Sequence, residues 1–135
     1  MTGSIDPTRD AMAAFRDLPL DQPIAMLNLL RFNQQAAYPA DSDQASCSGQ
    51  EAYARYSRTA IRKVRAAGGD VQVAASAQMA LIAPEQEHWD EMLLVRYPSP
   101  EAFLAMLADE EYRAATLHRT AALADSRLIA CSPRA

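Results

Sequence analysis

The run Ile24-Ala25-Met26-Leu27-Asn28-Leu29-Leu30-Arg31-Phe32, entered through Pro23, constrains the fold more than any other stretch. Nine residues bounded by turn formers fit a strand better than a helix. Side chains alternate along a strand, so Met26, Leu30 and Phe32 face one way and Leu27 and Leu29 the other. Both faces are apolar, which places the strand in the middle of a sheet that needs cover on each side.

The rest of the chain supplies the partners. Asp6-Pro7 opens a short helix carrying Met12 and Phe15, an N-terminal helical extension over residues 1–22 ahead of a single domain over 23–135. Asn33 to Cys47 is polar, rich in alanine and interrupted by Pro39, and reads as a long surface loop. Ser48-Gly49-Gln50-Glu51 has the form of a capping box, and Tyr53, Tyr56, Ala60, Val64 and Ala67 follow at helical spacing up to Gly68. Val71 to Leu81 alternates as a half-buried strand does, and Pro84-Glu85-Gln86-Glu87 turns the chain. Trp89 to Tyr97 alternates again, with Trp89, Leu93, Val95 and Tyr97 on one face and Asp90, Met92, Leu94 and Arg96 on the other. Ser99-Pro100-Glu101 opens a helix that kinks or restarts at Asp109-Glu110-Glu111 and runs to about Ala124, before a last strand over Arg127 to Cys131.

Strand, helix, strand, strand, helix, strand is the order of two split βαβ units. It predicts an α+β, ferredoxin-like βαββαβ fold with a four-stranded antiparallel sheet and both main helices on one face. The opposite face then has no intramolecular cover, although the first strand is apolar there. A second copy of the chain is the simplest cover, pairing sheet to sheet as a dimeric α+β barrel.

Several functions lack their residues. Half of the side chains are hydrophobic, the net charge is −4 and the basic residues are scattered, so no nucleic-acid partner is expected. No apolar run approaches a membrane span, and the first residues show no basic segment followed by an apolar one, so a cytoplasmic protein without a membrane partner is expected. Cys47 and Cys131 have no C-x-x-C spacing, and with only His88 and His118 beside them no metal site is expected; the two thiols are read as free. There is no phosphate loop and no G-x-S-x-G elbow, and no cofactor is expected.

The segments Pro23 to Phe32, Gly49 to Tyr56, Trp89-Asp90 with Arg96-Tyr97-Pro98-Ser99, and Tyr112, Arg119 and Ser126-Arg127-Leu128 together resemble the domain-of-unknown-function family thirteen-thirty, from Asp6 onward. The resemblance implies membership of the dimeric α+β barrel superfamily and a homodimer, and leaves the chemistry open, because function does not follow from fold.

The residues themselves mark the places for a site. Asn28 is an amide in an apolar strand and could orient a ligand carbonyl, or simply bond its neighbours. Tyr56, beside Tyr53 on the sheet-facing stripe of its helix, could form a pocket wall. Arg96 and Arg119 are candidate anion clamps, while Asp90 and His88 are candidate proton carriers. A surface ion pair would account equally well for Asp90 or Arg96. These residues suit a pocket between sheet and helices that binds a small organic, anionic molecule. They also fit a cofactor-independent monooxygenase or isomerase, and a structural dimer without ligand remains the third reading.

Overall fold

The computed structural model describes residues 3–134. Its elements run α1 (Arg9–Arg16), β1 (Ile24–Phe32), α2 (Gly49–Ala66), β2 (Asp70–Ser76), β3 (Glu91–Tyr97), α3 (Pro100–Ala108), α4 (Glu110–Ala122) and β4 (Leu123–Cys131). The strands form an antiparallel sheet in the order β2-β3-β1-β4. This is the ferredoxin-like arrangement, with β1 paired on both edges, as its two apolar faces require.

Register assigns every strand residue to a face. Met26 pairs with Val95 and Ala130, and Asn28 with Leu93 and Leu128. The inner face therefore carries Ile24, Met26, Asn28 and Leu30 from β1, Glu91, Leu93, Val95 and Tyr97 from β3, and Ser126, Leu128 and Ala130 from β4. Leu30 is fully buried at its centre. Against this face α2 lays Ala52, Tyr53, Tyr56, Ala60 and Val64, while α3 and α4 add Phe103, Met106, Tyr112 and Ala115. The outer face presents Leu27, Leu29, Met92, Leu94, Val73 and Ile129, and among the described residues no helix covers it.

Local chemistry sets the helix ends. Ser48 Oγ accepts from the Glu51 amide and the Glu51 carboxylate accepts from the Ser48 amide, completing the capping box. Gly68, at φ +85°, closes α2 in a conformation that glycine adopts without strain. Asp109 ends α3 in extended backbone and caps α4 through the Tyr112 amide, so the restart read at this point is a true break between two helices.

Five boundaries differ from the sequence reading, one of them the start of β3, which comes at Glu91 rather than at Trp89. The cap of α1 is Thr8 rather than Asp6, because the Thr8 hydroxyl reaches the Ala11 amide. The strand expected to reach Leu81 stops at Ser76, and residues 77–90 leave the sheet, exposing Met79, Leu81 and Ile82 by 71%, 83% and 94%. Alternation alone does not hold a strand that has run past the end of its partner. α4 stops at Ala122, and β4 begins at Leu123, four residues before Arg127, since Leu123 still finds Phe32 across a bulge.

The loop of residues 33–48 is tied down along its length. Ala36 N donates to Cys47 O, Ala37 N donates to Ala121 O, and Arg55 donates to the Ala45 carbonyl and to the Tyr38 hydroxyl. Tyr38 Oη lies 2.6 Å from His118 Nδ1, so His118 is half-buried against the loop. Cys47 and Cys131 are both free thiols.

Candidate functional site

The helix layer does not seal the inner face of the sheet. Val71 and Ala74 on β2 and Leu128 and Ala130 on β4 point inward yet remain exposed, because α2 and α4 pack over the middle of the sheet and leave its edges bare. Between the layers lies a cleft of about 1030 Å³. That is at the upper end of the roughly 300–1,000 Å³ usual for small-molecule pockets.

Its walls are largely aromatic and aliphatic. Tyr53, Tyr56 and Tyr112 form a continuous aromatic row, with ring centroids 5.2 Å apart for Tyr53–Tyr56 and 5.9 Å for Tyr56–Tyr112, and the hydroxyls of Tyr56 and Tyr112 meet at 2.7 Å. On the far wall Phe103 stands edge-on between Phe15 of α1 and Tyr97 of β3. Burial pushes the Tyr53, Tyr56 and Tyr97 phenols well above their ordinary range, so all three are neutral donors.

Three of the six expected residues come together here. Asn28, Tyr56 and Arg119 all line the cleft. Asn28 Nδ2 donates to the Met26 carbonyl at 3.2 Å, which orients the amide and leaves its oxygen for the cavity. Arg119 Nη1 donates to the Ile5 carbonyl at 2.6 Å, and its charge acts on both Tyr53 and Tyr56. The remaining guanidinium N–H groups are available to an anion or carbonyl oxygen.

The other three lie elsewhere. Arg96 projects from the outer face, 4.0 Å from Asp70, so it does not share the cavity with Arg119. Asp90 is exposed beyond the end of β3, where its side chain accepts from the Phe32 amide and its own amide donates to the Leu30 carbonyl. It fastens the ends of two strands together. His88 is exposed in the loop before it, apart from the cleft.

Two contributions were not anticipated. One is Glu91, an inward residue of β3 whose carboxylate lines the cleft. Alternation carried the signal, because position 91 is in phase with Leu93, Val95 and Tyr97. The other is the N-terminal segment. Ser4 N donates to Asp125 Oδ1, Ser126 Oγ donates to the Ser4 carbonyl, and Arg119 takes the Ile5 carbonyl, so this strand of chain passes over one end of the cavity. No pattern in residues 3–8 announces that path.

Among the described residues no group of histidine, cysteine or carboxylate side chains could hold a metal ion, and no helix is long and apolar enough to cross a membrane.

The family model for a domain of unknown function, DUF1330, matches residues 43–131. The chain belongs to the DUF1330 family. The match omits β1, so the resemblance read from Asp6 onward is carried by the family model only from residue 43. A likeness to a solved protein extends over the rest. The RPA0582 protein of unknown function from Rhodopseudomonas palustris is 42% identical, with 99% of each chain covered and a TM-score of 0.91. The methylated form of the RPA0582 protein is 44% identical, covering 100% of this chain and 98% of its own, with a TM-score of 0.92. A dimeric ferredoxin-like protein of unknown function from Thermobifida fusca YX is 20% identical over 87% of this chain and 97% of its own, with a TM-score of 0.48. No match is found among the curated proteins. For this DUF1330 chain the cavity itself is therefore the guide to chemistry.

Proposed function

We propose that the protein binds a small organic molecule in the cleft between sheet and helices. The observation that carries this reading is the convergence of Asn28, Tyr56 and Arg119 on one cavity with aromatic walls. A ligand with an apolar or aromatic body and an anionic or carbonyl head fits it. The body lies along Tyr53, Tyr56 and Phe103, and the head turns to the Arg119 guanidinium and the Asn28 amide.

Anilinonaphthalene sulfonate, an aromatic anion that brightens in apolar sites, is a direct probe. Saturable binding by the wild type, weakened about tenfold or more in Arg119→Ala with the fold retained, supports the reading, since a charge-assisted bond is worth roughly 1.5–3 kcal/mol. A wild type that does not bind the dye in the cleft contradicts it.

The working unit on this reading is a homodimer formed through the outer face. Support comes from Leu27, Leu29, Met92 and Leu94, which lie in the middle of a face that no helix among the described residues covers, alongside the exposed Val73 and Ile129.

A further inference from the structure

Some charged side chains elsewhere in the molecule are held by partners, and others, Arg58, Glu85 and Glu101 among them, are exposed to solvent. Arg62 and Glu111 pair directly, Lys63 bridges Asp109 and Glu111 at 3.1 Å each, and Asp125 holds Arg127 at 2.8 Å. Glu91 departs from this pattern. Among the described residues its carboxylate accepts no hydrogen bond and has no cation within 4 Å, although it lies on the inner face beside Leu93 and lines the cleft. Its neighbours across the sheet are Leu30 on β1 and Ser76 on β2, neither charged.

Glu91 is half-buried, and among the described residues no fully buried side-chain oxygen lacks a partner, so its carboxylate has lost part of its hydration and still opens on the cleft. Tyr53 of α2 senses both the Glu91 carboxylate and the Arg119 guanidinium of α4, and both charged residues line the same cleft. Arg127 of β4, at the cavity rim, is already held by Asp125. Desolvation raises the Glu91 carboxyl above its ordinary value of 4.5, and a stronger base results.

We infer that Glu91 is the proton-abstracting group of the cleft, acting on a carbon acid, a compound with a hydrogen on the carbon beside a carbonyl, whose carbonyl oxygen is directed to Arg119. This inference rests on the cleft being a binding site. In the step, the substrate C–H bond breaks and its proton forms an O–H bond with the Glu91 carboxylate. The electron pair moves to the carbonyl oxygen as an enolate, which the Arg119 guanidinium stabilises. Return of the proton to a different carbon of the conjugated system gives an isomer, and no oxidant, reductant or second substrate enters the balance. Tyr53, neutral and sensing both charges, adds a phenol donor to the same cleft wall.

Nitrobenzisoxazole tests the base without knowledge of the natural substrate. A carboxylate takes its ring C–H proton, the electron pair of that bond completes a nitrile as the N–O bond breaks, and a coloured cyanophenolate forms. The wild type is expected to accelerate this elimination beyond an equal concentration of acetate, with a rate that rises with pH through a carboxyl titrating above 4.5. Glu91→Gln, of the same shape, should lose at least about tenfold while still binding anilinonaphthalene sulfonate, and Glu91→Asp should recover part of the rate. Equal rates in wild type and Glu91→Gln, or no acceleration by a wild type that binds the dye, overturn the role of Glu91 and leave the binding reading intact. Failure of the wild type to bind the dye overturns both.

Discussion

Tyr56 and Tyr112 share one hydroxyl-to-hydroxyl bond inside the helix layer, and neither phenol has another recorded partner. Tyr56→Phe leaves the Tyr112 hydroxyl buried and unpaired, which should cost about 1–3 kcal/mol in urea unfolding, whereas the double variant with Tyr112→Phe should recover part of that loss. A double variant less stable than the sum of its parts would show that the bond is not what holds these rings. The same scale shows what residue chemistry reveals in a sequence. Asn28 and Tyr56 were legible because a polar atom at an inward position of a periodic element must do something there. Arg119 was legible only by resemblance. Asp90, Arg96 and His88 carry suitable chemistry, but a side chain at the end of a strand or on its outer face is assigned by register, and register appears only when strands pair. Glu91 was hidden by an apolar reading of its face.

At the scale of elements, α2 and α4 depend on carboxylates at their first turns. Hydrogen bonds from the Ser48 backbone and side chain hold the Glu51 carboxyl below its ordinary range. The Tyr112 amide and Lys63 do the same for Asp109, and Arg62 and Lys63 for Glu111. For each group the folded pKa lies below the unfolded one. The stabilisation is therefore complete above 4.5 for Glu51 and Glu111 and above 3.8 for Asp109, and is lost as pH falls through those values toward the folded ones. The thermal midpoint should fall with acidification in this window, and Glu51→Gln should show a shallower fall because the carboxylate that the Ser48 amide holds is then gone. An identical slope in the variant would remove the capping box as a cause. The starts of α2 and α3 were read correctly for the same reason, since local bonds choose them, whereas Asp6 was misread as the cap of α1. The end of β2 was misread too, since it is set where β3 ceases to offer a partner.

For the whole molecule, two uncovered features point to association. The outer sheet face is apolar, and residues 77–90 expose Met79, Leu81 and Ile82 almost completely. Sedimentation at micromolar concentration should give the mass of two chains. Ile129→Arg, placed on the outer face at a side chain that is 48% exposed in the single chain, should shift the equilibrium to monomer with little change in the fold. A wild-type monomer at that concentration would contradict the dimer. The topology of the sheet was legible throughout because one strand with two apolar faces admits few neighbours, whereas the bare edges of the helix layer, which open the cleft, follow from packing that no single segment encodes.

Gly49 has a consequence for how such a chain can change. Its amide donates to the Asn33 carbonyl, Asn33 N donates to the Ala122 carbonyl, and a Cβ on Gly49 would stand 2.2 Å from Asn33 O and 2.6 Å from Ala122 O. The end of β1, the start of α2 and the end of α4 are thus fastened at one point, and the intervening loop leaves and returns through the same clasp. Gly49→Ala should be strongly destabilising, by at least about 1–3 kcal/mol in urea unfolding, because the obstacles are backbone atoms. Residues inserted between Asn33 and Ser48, by contrast, would enlarge an excursion whose two ends are already joined, at an entropic cost that grows only slowly with length. Evolution can therefore rewrite the exterior of this protein here without moving Tyr53 or Tyr56, which begin their helix one turn beyond the clasp.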